Sequence, residues 1–210
     1  MDFNNDGKLD LIAGDTEGNV TLFLNVGTAQ NPELAKGVKI EADGKPIRVG
    51  SHNLADRYSK IHMADWDGDG RRDLLVGHSN TIVMYKNVGR ASEPRFAAPV
   101  QVAIPGTVPT RPSPYVVDWD GDGKKDLLVG CESAEVLFYR NTGTDKKPRL
   151  ANGQKLELRA PKSEAGYRWR IDVTDWNNDG KLDLLVGSFY SGSSPSDRKM
   201  GGNVWLFLGK

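Results

Sequence analysis

The sequence contains a single cysteine, Cys131, among its 210 residues. A lone cysteine cannot form an intramolecular disulfide, so the small folds that depend on disulfides are excluded. No run of 18 apolar residues occurs, which excludes a transmembrane helix. The signatures of common catalytic sites are also missing, namely the Gly-x-Ser-x-Gly elbow, the His-Glu-x-x-His motif and the Walker loop.

Helical periodicity and basic clusters are absent as well. No segment repeats apolar residues at helical spacing over three turns, so we predict almost no helix. No cluster of five or more basic residues and no known binding module occurs, which makes nucleic acid a poor partner. The three histidines show no metal-ligand spacing, which argues against a zinc site.

Four nine-residue acidic segments, which align without gaps, are the most informative feature that is present. They begin at Asp2, Asp65, Asp118 and Asp175, and each has Asp at positions 1, 5 and 9, Asp or Asn at position 3 and Gly at position 6. Their starts are 63, 53 and 57 residues apart. Similarity at such a period is typical of a repeat architecture.

The charge is balanced in sum but not in its distribution. The chain has 28 basic and 28 acidic residues, and fourteen of the acidic residues lie in the four segments. Divalent cations bound to these segments would therefore leave the loaded protein basic, although the chain alone is formally neutral.

The segments between the acidic motifs have the composition of β-strands, rich in Val, Leu, Phe and Tyr and separated by Gly, Asn and Pro. The first strand of each repeat is predicted at 11–14, 74–77, 127–130 and 184–187, and the second at 20–24, 82–85, 136–139 and 204–208. A third is predicted near 38–40, 100–102 and 156–158, and a fourth, leading into the next acidic segment, at 60–64, 115–117 and 170–174. Four strands per repeat are the unit of a propeller blade, so we predict an all-β protein, a β-propeller of four-stranded antiparallel blades.

These acidic segments and the strands that follow them resemble the FG-GAP and VCBS-type repeats, whose best-known relatives are the head domains of integrin α-subunits. The resemblance implies a β-propeller with a calcium ion in the hairpin between the first two strands of each blade. It implies no single function, because the family includes adhesion modules, lectin-like domains and polysaccharide lyases. We expect an extracellular or cell-surface binding module for carbohydrate or protein. A polysaccharide lyase and a purely structural scaffold are the alternatives.

The acidic segments also suggest a cation site on chemical grounds, since a hard dication takes six to eight oxygen ligands. Side chains at positions 1, 3, 5 and 9 and the backbone carbonyl at position 7 would supply them. The predicted ligands are Asp2, Asn4, Asp6, Lys8 and Asp10; Asp65, Asp67, Asp69, Arg71 and Asp73; Asp118, Asp120, Asp122, Lys124 and Asp126; and Asp175, Asn177, Asp179, Lys181 and Asp183. Position 12 is Ala or Val rather than the Glu of an EF-hand, and a cage made only of protein oxygens favours Ca²⁺ over Mg²⁺.

The predicted sites differ in charge. Asn4 and Asn177 leave the first and fourth sites with three carboxylates, against four in the middle pair, so we expect the first and fourth to bind calcium more weakly. We expect the calcium to be structural rather than catalytic. The aromatic residues at position 2 could stack on a ligand, but packing between blades is the favoured interpretation.

A ligand surface is predicted at the blade ends opposite the acidic segments. The candidate residues precede the fourth strands or lie in the long insertion 188–203, and they are Arg57, Tyr58, Arg111, Tyr167, Arg168 and Tyr190. Arginines with aromatic neighbours suit a carboxylated or sulfated sugar. The alternative is that each arginine pairs with an acidic residue of a neighbouring blade.

Residues 1–210 are predicted to form a single repeat domain. The expected first strand of the first blade and the outer strand of the last blade are missing from the sequence. We therefore expect either part of a larger propeller or a unit that closes with another chain, with self-association through unpaired blade edges.

Overall fold

A computed structural model describes residues 1–51, 53, 56–159, 166–191 and 200–209. The described residues form short antiparallel β-strands and contain no α-helix. Within these residues, no helix is long and apolar enough to cross a membrane. The chain divides into two compact units, Met1–Val102 and Ala103–Lys210.

The first unit contains two repeat sheets and one extra hairpin. The first sheet has the order β1 (Leu11–Gly14), β2 (Val20–Phe23) and β3 (Val38–Lys39). The hairpin pairs β4 (Glu41–Ala42) with β5 (Lys45–Pro46). The second sheet has the order β6 (Lys60–Ala64), β7 (Asp73–His78), β8 (Thr81–Tyr85) and β9 (Val100–Gln101).

The second unit contains the other two repeat sheets. One has the order β10 (Ser113–Val117), β11 (Asp126–Gly130), β12 (Val136–Tyr139) and β13 (Gln154–Lys155). The other joins β14 (Tyr167–Thr174) to β15 (Asp183–Ser191) and β15 to β17 (Val204–Phe207), while β16 (Met200–Gly201) pairs with the far end of β15. The prediction of an all-β protein built from propeller-type antiparallel blades is confirmed.

Each unit has an apolar core to which both of its repeat sheets contribute. In the first unit, Val20 of β2 and Leu74 of β7 are fully buried in one cluster that also contains Phe96. In the second unit, Leu128 of β11 and Leu184 of β15 are buried in one cluster with Trp169. The central strands β7 and β11 bury consecutive apolar residues, and the shared clusters hold neighbouring sheets of a unit together.

One predicted strand is displaced, and one hairpin was not predicted. The third strand of the third repeat lies at Gln154–Lys155 and not at 156–158, because the apolar Leu156 and Leu158 are partly buried against the core of the unit instead. The β4–β5 hairpin turns at Asp43 and Gly44, whose φ angles are 50° and 70°. Asp-Gly is a frequent pair for such a turn, so the signal was present in the sequence.

The predicted insertion in the fourth repeat begins as an extension of β15. Tyr190 pairs with Gly201, and the Ser188 amide donates a hydrogen bond of 2.8 Å to the Asn203 carbonyl. Residues 192–199 of this insertion lie outside the described residues.

Cys131 should be inert to thiol reagents in the folded protein. Its side chain is fully buried, and burial, with a smaller contribution from the Glu135 charge, raises the pKa of the thiol to about 12. Since the thiolate is the reactive form, alkylation by iodoacetamide should require local unfolding of the second unit. Mass spectrometry after timed labelling measures this, and labelling in native buffer as fast as in urea would contradict the burial of Cys131.

Candidate metal centre

The four acidic segments form loops with the same internal hydrogen bonds. We call them loop 1 (2–10), loop 2 (65–73), loop 3 (118–126) and loop 4 (175–183); loops 2, 3 and 4 connect β6 to β7, β10 to β11 and β14 to β15. In each loop the position 1 carboxylate accepts hydrogen bonds from the amides of positions 5 and 6, at 2.9 to 3.1 Å. The position 5 carboxylate accepts from the amide of position 7 at 2.9 or 3.0 Å. The loop conformation is therefore specified by its own aspartates.

Two positions of each loop adopt left-handed backbone conformations. Position 6 is glycine, with φ between 83° and 85° in all four loops. Position 4 is Asn5, Gly68, Gly121 or Asn178, with φ between 57° and 72°. Gly and Asn tolerate this conformation better than other residues, which explains why the sequence alternates between them at position 4.

The position 9 aspartate stabilises the loop through hydrogen bonds to backbone amides. It is buried in every loop, and it is fully buried in loops 2, 3 and 4. One carboxylate oxygen accepts from the position 2 amide at 2.8 to 3.2 Å, and the other accepts from a backbone amide just past the second strand at 2.7 or 2.8 Å. The four aspartates are Asp10, Asp73, Asp126 and Asp183, so this residue connects the loop to the sheet without any metal.

Carboxylates from separate positions converge in loops 2 and 3. Oxygen atoms of Asp65, Asp67 and Asp73 lie within 4.8 Å of one another, and the same holds for Asp118, Asp120 and Asp126. In addition, Oδ1 of Asp67 is buried and accepts no hydrogen bond from the protein. Convergent carboxylate oxygens and an unsatisfied buried acceptor fit a hard divalent cation, so these groups can hold a metal ion.

The electrostatics of the loops also favour an added positive charge. Burial raises the pKa of Asp73 to about 6, with a further contribution from the charges of Asp67 and Asp69, although hydrogen bonds from backbone amides oppose the shift. The pKa of Asp126 is raised for the same reasons. In loops 2 and 3 the ionised position 9 carboxylate is therefore poorly compensated, and a neighbouring cation would stabilise it.

The pKa values of the position 5 aspartates are shifted in the opposite direction, downward. A hydrogen bond from the Lys124 side chain is the main cause that lowers the pKa of Asp122, and the Lys181 amide lowers that of Asp179. The lowered pKa keeps both carboxylates ionised at neutral pH, as a metal ligand requires.

Loops 2 and 3 contain basic partners that the sequence analysis did not identify. The Lys86 ammonium contacts Oδ2 of Asp67 and lies 3.1 Å from Oδ2 of Asp69. Arg140 lies 2.6 Å from Oδ2 of Asp120 and 3.0 Å from Oδ2 of Asp122. Both basic residues directly precede the Asn of an Asn-x-Gly turn, and this position was the available signal.

The Asn of each Asn-x-Gly turn has a structural role. Asn25, Asn87 and Asn141 are buried, and their side-chain oxygens each accept two backbone hydrogen bonds at 2.9 to 3.2 Å. These bonds fix the turn after the second strand. The recurring Asn-x-Gly motif therefore stabilises the backbone of this turn.

Three of the four aromatic residues at position 2 are packed. Trp66 is buried, Phe3 contacts Phe96 with a centroid distance of 6.5 Å, and Trp119 packs against the core of the second unit. Trp176 is 60% exposed. Packing is thus their main role, with Trp176 the exception.

The predicted ligand residues of the first unit make local contacts. Arg57 pairs with Glu17 at 2.8 Å, and its Nε donates to the Ser51 carbonyl at 2.8 Å. The Tyr58 ring lies 5.1 Å from the Lys60 ammonium. Arg57 therefore bridges neighbouring segments of the unit, as the alternative interpretation expected.

In the second unit, the structure brings Arg111 and Arg168 together on one carboxylate. Oε1 of Glu132 accepts from Arg111 at 3.1 Å and from Arg168 at 3.0 Å. The Arg168 guanidinium also lies 5.3 Å from the Tyr167 ring and 5.2 Å from the Phe189 ring. Tyr190, the remaining candidate, is 41% exposed.

Antiparallel propeller-type sheets with an Asp-rich loop before their central strands define a repeat protein of the β-propeller class. A sequence profile described as FG-GAP-like repeat matches residues 65–129 and 118–186. These matches cover more than half of the chain, which therefore belongs to the FG-GAP-like repeat family. The resemblance seen in the sequence is confirmed.

Comparison with solved structures finds similar chains. A chain of the Photorhabdus luminescens Tc holotoxin pore is similar over 93% of this chain, with a TM-score of 0.43 and 20% sequence identity. This chain spans 8% of the length of that toxin chain. No match was found among curated proteins.

Proposed function

We propose that this protein is a calcium-stabilised extracellular binding module in which all four acidic loops hold Ca²⁺. The proposed ligands are the side chains at positions 1, 3, 5 and 9 and the backbone carbonyl at position 7. The observation that carries this proposal is the convergence of Asp65, Asp67 and Asp73 beside the unsatisfied buried Oδ1 of Asp67. A bound dication would offset the repulsion between these carboxylates and order the loop.

The proposed ligand surface lies at the blade ends opposite the loops, because Arg111 and Arg168 precede or begin the strands that run into loops 3 and 4. The surface is centred on a cluster of basic side chains in the second unit. Among the described residues, Arg111 and Arg168 each pair with the carboxylate of Glu132, and the charge of Arg170 also interacts with it. Burial is the main cause that lowers the pKa of Arg170 to about 10, and the neighbouring arginines add to the shift.

An anionic group would bind favourably to this cluster. Guanidinium groups bind carboxylates and sulfates through charge-assisted hydrogen bonds, and aromatic rings such as Tyr167 offer a stacking surface. Carbohydrate with carboxylate or sulfate groups is therefore the first candidate ligand, and an acidic protein surface is the second. Tyr190 remains a proposed contributor to this surface, and Arg57 and Tyr58 remain proposed ligand residues of the first unit.

A glycan array in the presence of calcium tests this proposal. Sulfated or carboxylated glycans should bind, and binding should weaken with salt because exposed charges are screened over about 8 Å at physiological ionic strength. Replacing Arg168 by Gln should weaken binding about tenfold or more, since a charge-assisted hydrogen bond contributes roughly 1.5–3 kcal/mol.

The matched control is Arg48→Gln, which also removes an arginine that pairs with a glutamate, Glu17, but in the first unit. Arg48→Gln should leave glycan binding unchanged, and neither variant should alter calcium-dependent stabilisation. If anionic glycans do not bind, or if Arg168→Gln binds them normally, the proposed ligand surface is wrong. Release of unsaturated sugar products would instead establish the lyase alternative.

A further inference from the structure

In two of the four loops, a basic side chain from the end of the second strand contacts the acidic cluster, in addition to the basic residue at position 7 of the loop. Lys86 reaches the carboxylates of loop 2 from the end of β8, and Arg140 reaches those of loop 3 from the end of β12. Each basic group contacts the aspartates at positions 3 and 5, which are two of the proposed calcium ligands. A basic side chain and a metal ion would therefore compete for the same oxygen atoms.

The strand register identifies the equivalent residues in the other two repeats. Leu74 pairs with Tyr85 and Leu127 with Tyr139, and in the same way Leu11 pairs with Phe23 and Leu184 with Phe207. The residues that follow these partners are Lys86, Arg140, Leu24 and Leu208. The amide one residue further on donates to the position 9 aspartate in every repeat, which confirms the equivalence.

Position 3 changes together with this strand residue. Loops 2 and 3 have Asp67 and Asp120 at position 3, and the strand residue is basic. Loops 1 and 4 have Asn4 and Asn177, and the strand residue is leucine. The additional carboxylate is thus balanced by an additional cation, and the sum over the position 1, 3, 5 and 9 side chains and the strand residue is −3 in every loop.

We propose that Lys86 and Arg140 are tethered cations that replace part of the metal charge in loops 2 and 3. The stability of loops 2 and 3 then depends less on Ca²⁺ than the stability of loops 1 and 4. This inference rests on the proposed calcium binding and reverses the order of affinity that the number of carboxylates predicts. The two loops with more aspartates bind calcium no more tightly than the two with fewer.

Lys86 can compete with Ca²⁺ for the aspartate oxygens because it is covalently attached to the same chain. Lys86 is held by its own strand, so it returns to Asp67 without the entropic cost of capturing a free ion. Its side chain is 37% exposed, which limits the strength of the pair. We therefore expect removal of Lys86 to tighten calcium binding at loop 2 by roughly threefold to tenfold.

The first experiment compares Lys86→Leu with the wild-type chain, by thermal melting in chelator and in millimolar calcium. In chelator, Lys86→Leu should melt below the wild type, because the four aspartates of loop 2 then lose Lys86 and keep Arg71 as a basic partner. Calcium should restore most of this loss, so the stabilisation by calcium exceeds that of the wild type. Lys36→Leu removes an exposed lysine outside the loops and should show neither effect.

A reciprocal variant introduces the pair of a position 3 aspartate and a basic strand residue into loop 4. Asn177→Asp combined with Leu208→Lys recreates the pair found in loops 2 and 3, and Leu208 is 53% exposed, so the change leaves the core intact. Melting of this variant should depend less on calcium than melting of the wild type. The variant also tests the inference if Lys86→Leu does not fold.

The outcomes separate the inference from the proposed function. If calcium stabilises the wild type, but Lys86→Leu loses the same stability in chelator and in calcium, Lys86 is an ordinary surface partner and the inference is overturned. An unchanged calcium dependence in the loop 4 variant would overturn it as well. If calcium does not stabilise the wild type at all, the proposed calcium binding fails together with the inference.

Discussion

Replacing Asp126 by alanine should lower the free energy of unfolding by about 3–5 kcal/mol, among the largest effects of a single substitution. The Asp126 carboxylate is fully buried and accepts hydrogen bonds from the amides of Trp119 at 3.0 Å and Asn141 at 2.7 Å. Alanine would leave both amides without an acceptor. Urea denaturation in chelator and in calcium measures the effect.

The controls distinguish a role of Asp126 as a hydrogen-bond acceptor for backbone amides from a role as a metal ligand. Asp126→Asn keeps one acceptor oxygen and should lie between wild type and alanine, while the exposed Glu157→Ala should change the free energy of unfolding by less than about 0.5 kcal/mol. The loss for Asp126→Ala should be large in chelator as well as in calcium, because the two amides belong to the backbone. A loss confined to calcium would show that Asp126 acts only through a metal ion.

Millimolar calcium should raise the melting temperature of the wild-type protein by about 5–15 °C. Extracellular calcium modules bind with dissociation constants of roughly 10⁻⁴ to 10⁻³ M, so a few millimolar calcium stabilises each site by about 1–2 kcal/mol. For a domain of this size, each kcal/mol raises the melting temperature by roughly 2–4 °C. Two sites suffice for the expected shift.

Variants should assign this calcium effect to particular loops. Asp179→Ala removes a carboxylate of loop 4 and should reduce the stabilisation by calcium, whereas Glu157→Ala should leave it intact. Magnesium at the same concentration should stabilise less, because a cage made of protein oxygens suits the larger ion. Equal melting temperatures in chelator and in calcium would contradict the structural role of the metal.

The sequence predicts the strands well because each repeat marks them twice, by composition and by the polar motif that precedes them. In the second repeat, the predicted strand 60–64 coincides with β6, and 82–85 lies within β8. Position 6 glycines were likewise predictable, since the bend requires a left-handed conformation. The third strands are only two residues long, so little sequence signal defines them, and Leu156 was assigned to a strand although it packs on the core.

The side-chain contacts inside the acidic loops were harder to predict from the sequence. Asp73 was expected only to close a metal site, yet both of its oxygens accept backbone hydrogen bonds that become visible once the partner strand is placed. Lys86 lies 19 residues after Asp67, and only the β7–β8 register brings the two together. Contacts of this kind depend on strand pairing, which local sequence patterns do not encode.

The arginines show the same dependence on long-range pairing. Their recurring position before each fourth strand was visible in the sequence, but Glu132, which binds both Arg111 and Arg168, comes from the segment between β11 and β12. Sequence position alone could not decide whether the arginines form a ligand surface or pair with acidic residues of neighbouring blades. The structure shows that, among the described residues, Arg111 and Arg168 share the carboxylate of Glu132.

Equilibrium dialysis against radioactive calcium, after complete removal of metal with chelator, tests the central claim most directly. The acidic loops should bind at least two calcium ions per chain, with dissociation constants of roughly 10⁻⁴ to 10⁻³ M. Asp6→Ala and Asp179→Ala together should reduce the bound calcium at one millimolar by more than Asp69→Ala and Asp122→Ala together. A wild-type protein that retains no calcium at ten millimolar would contradict the account.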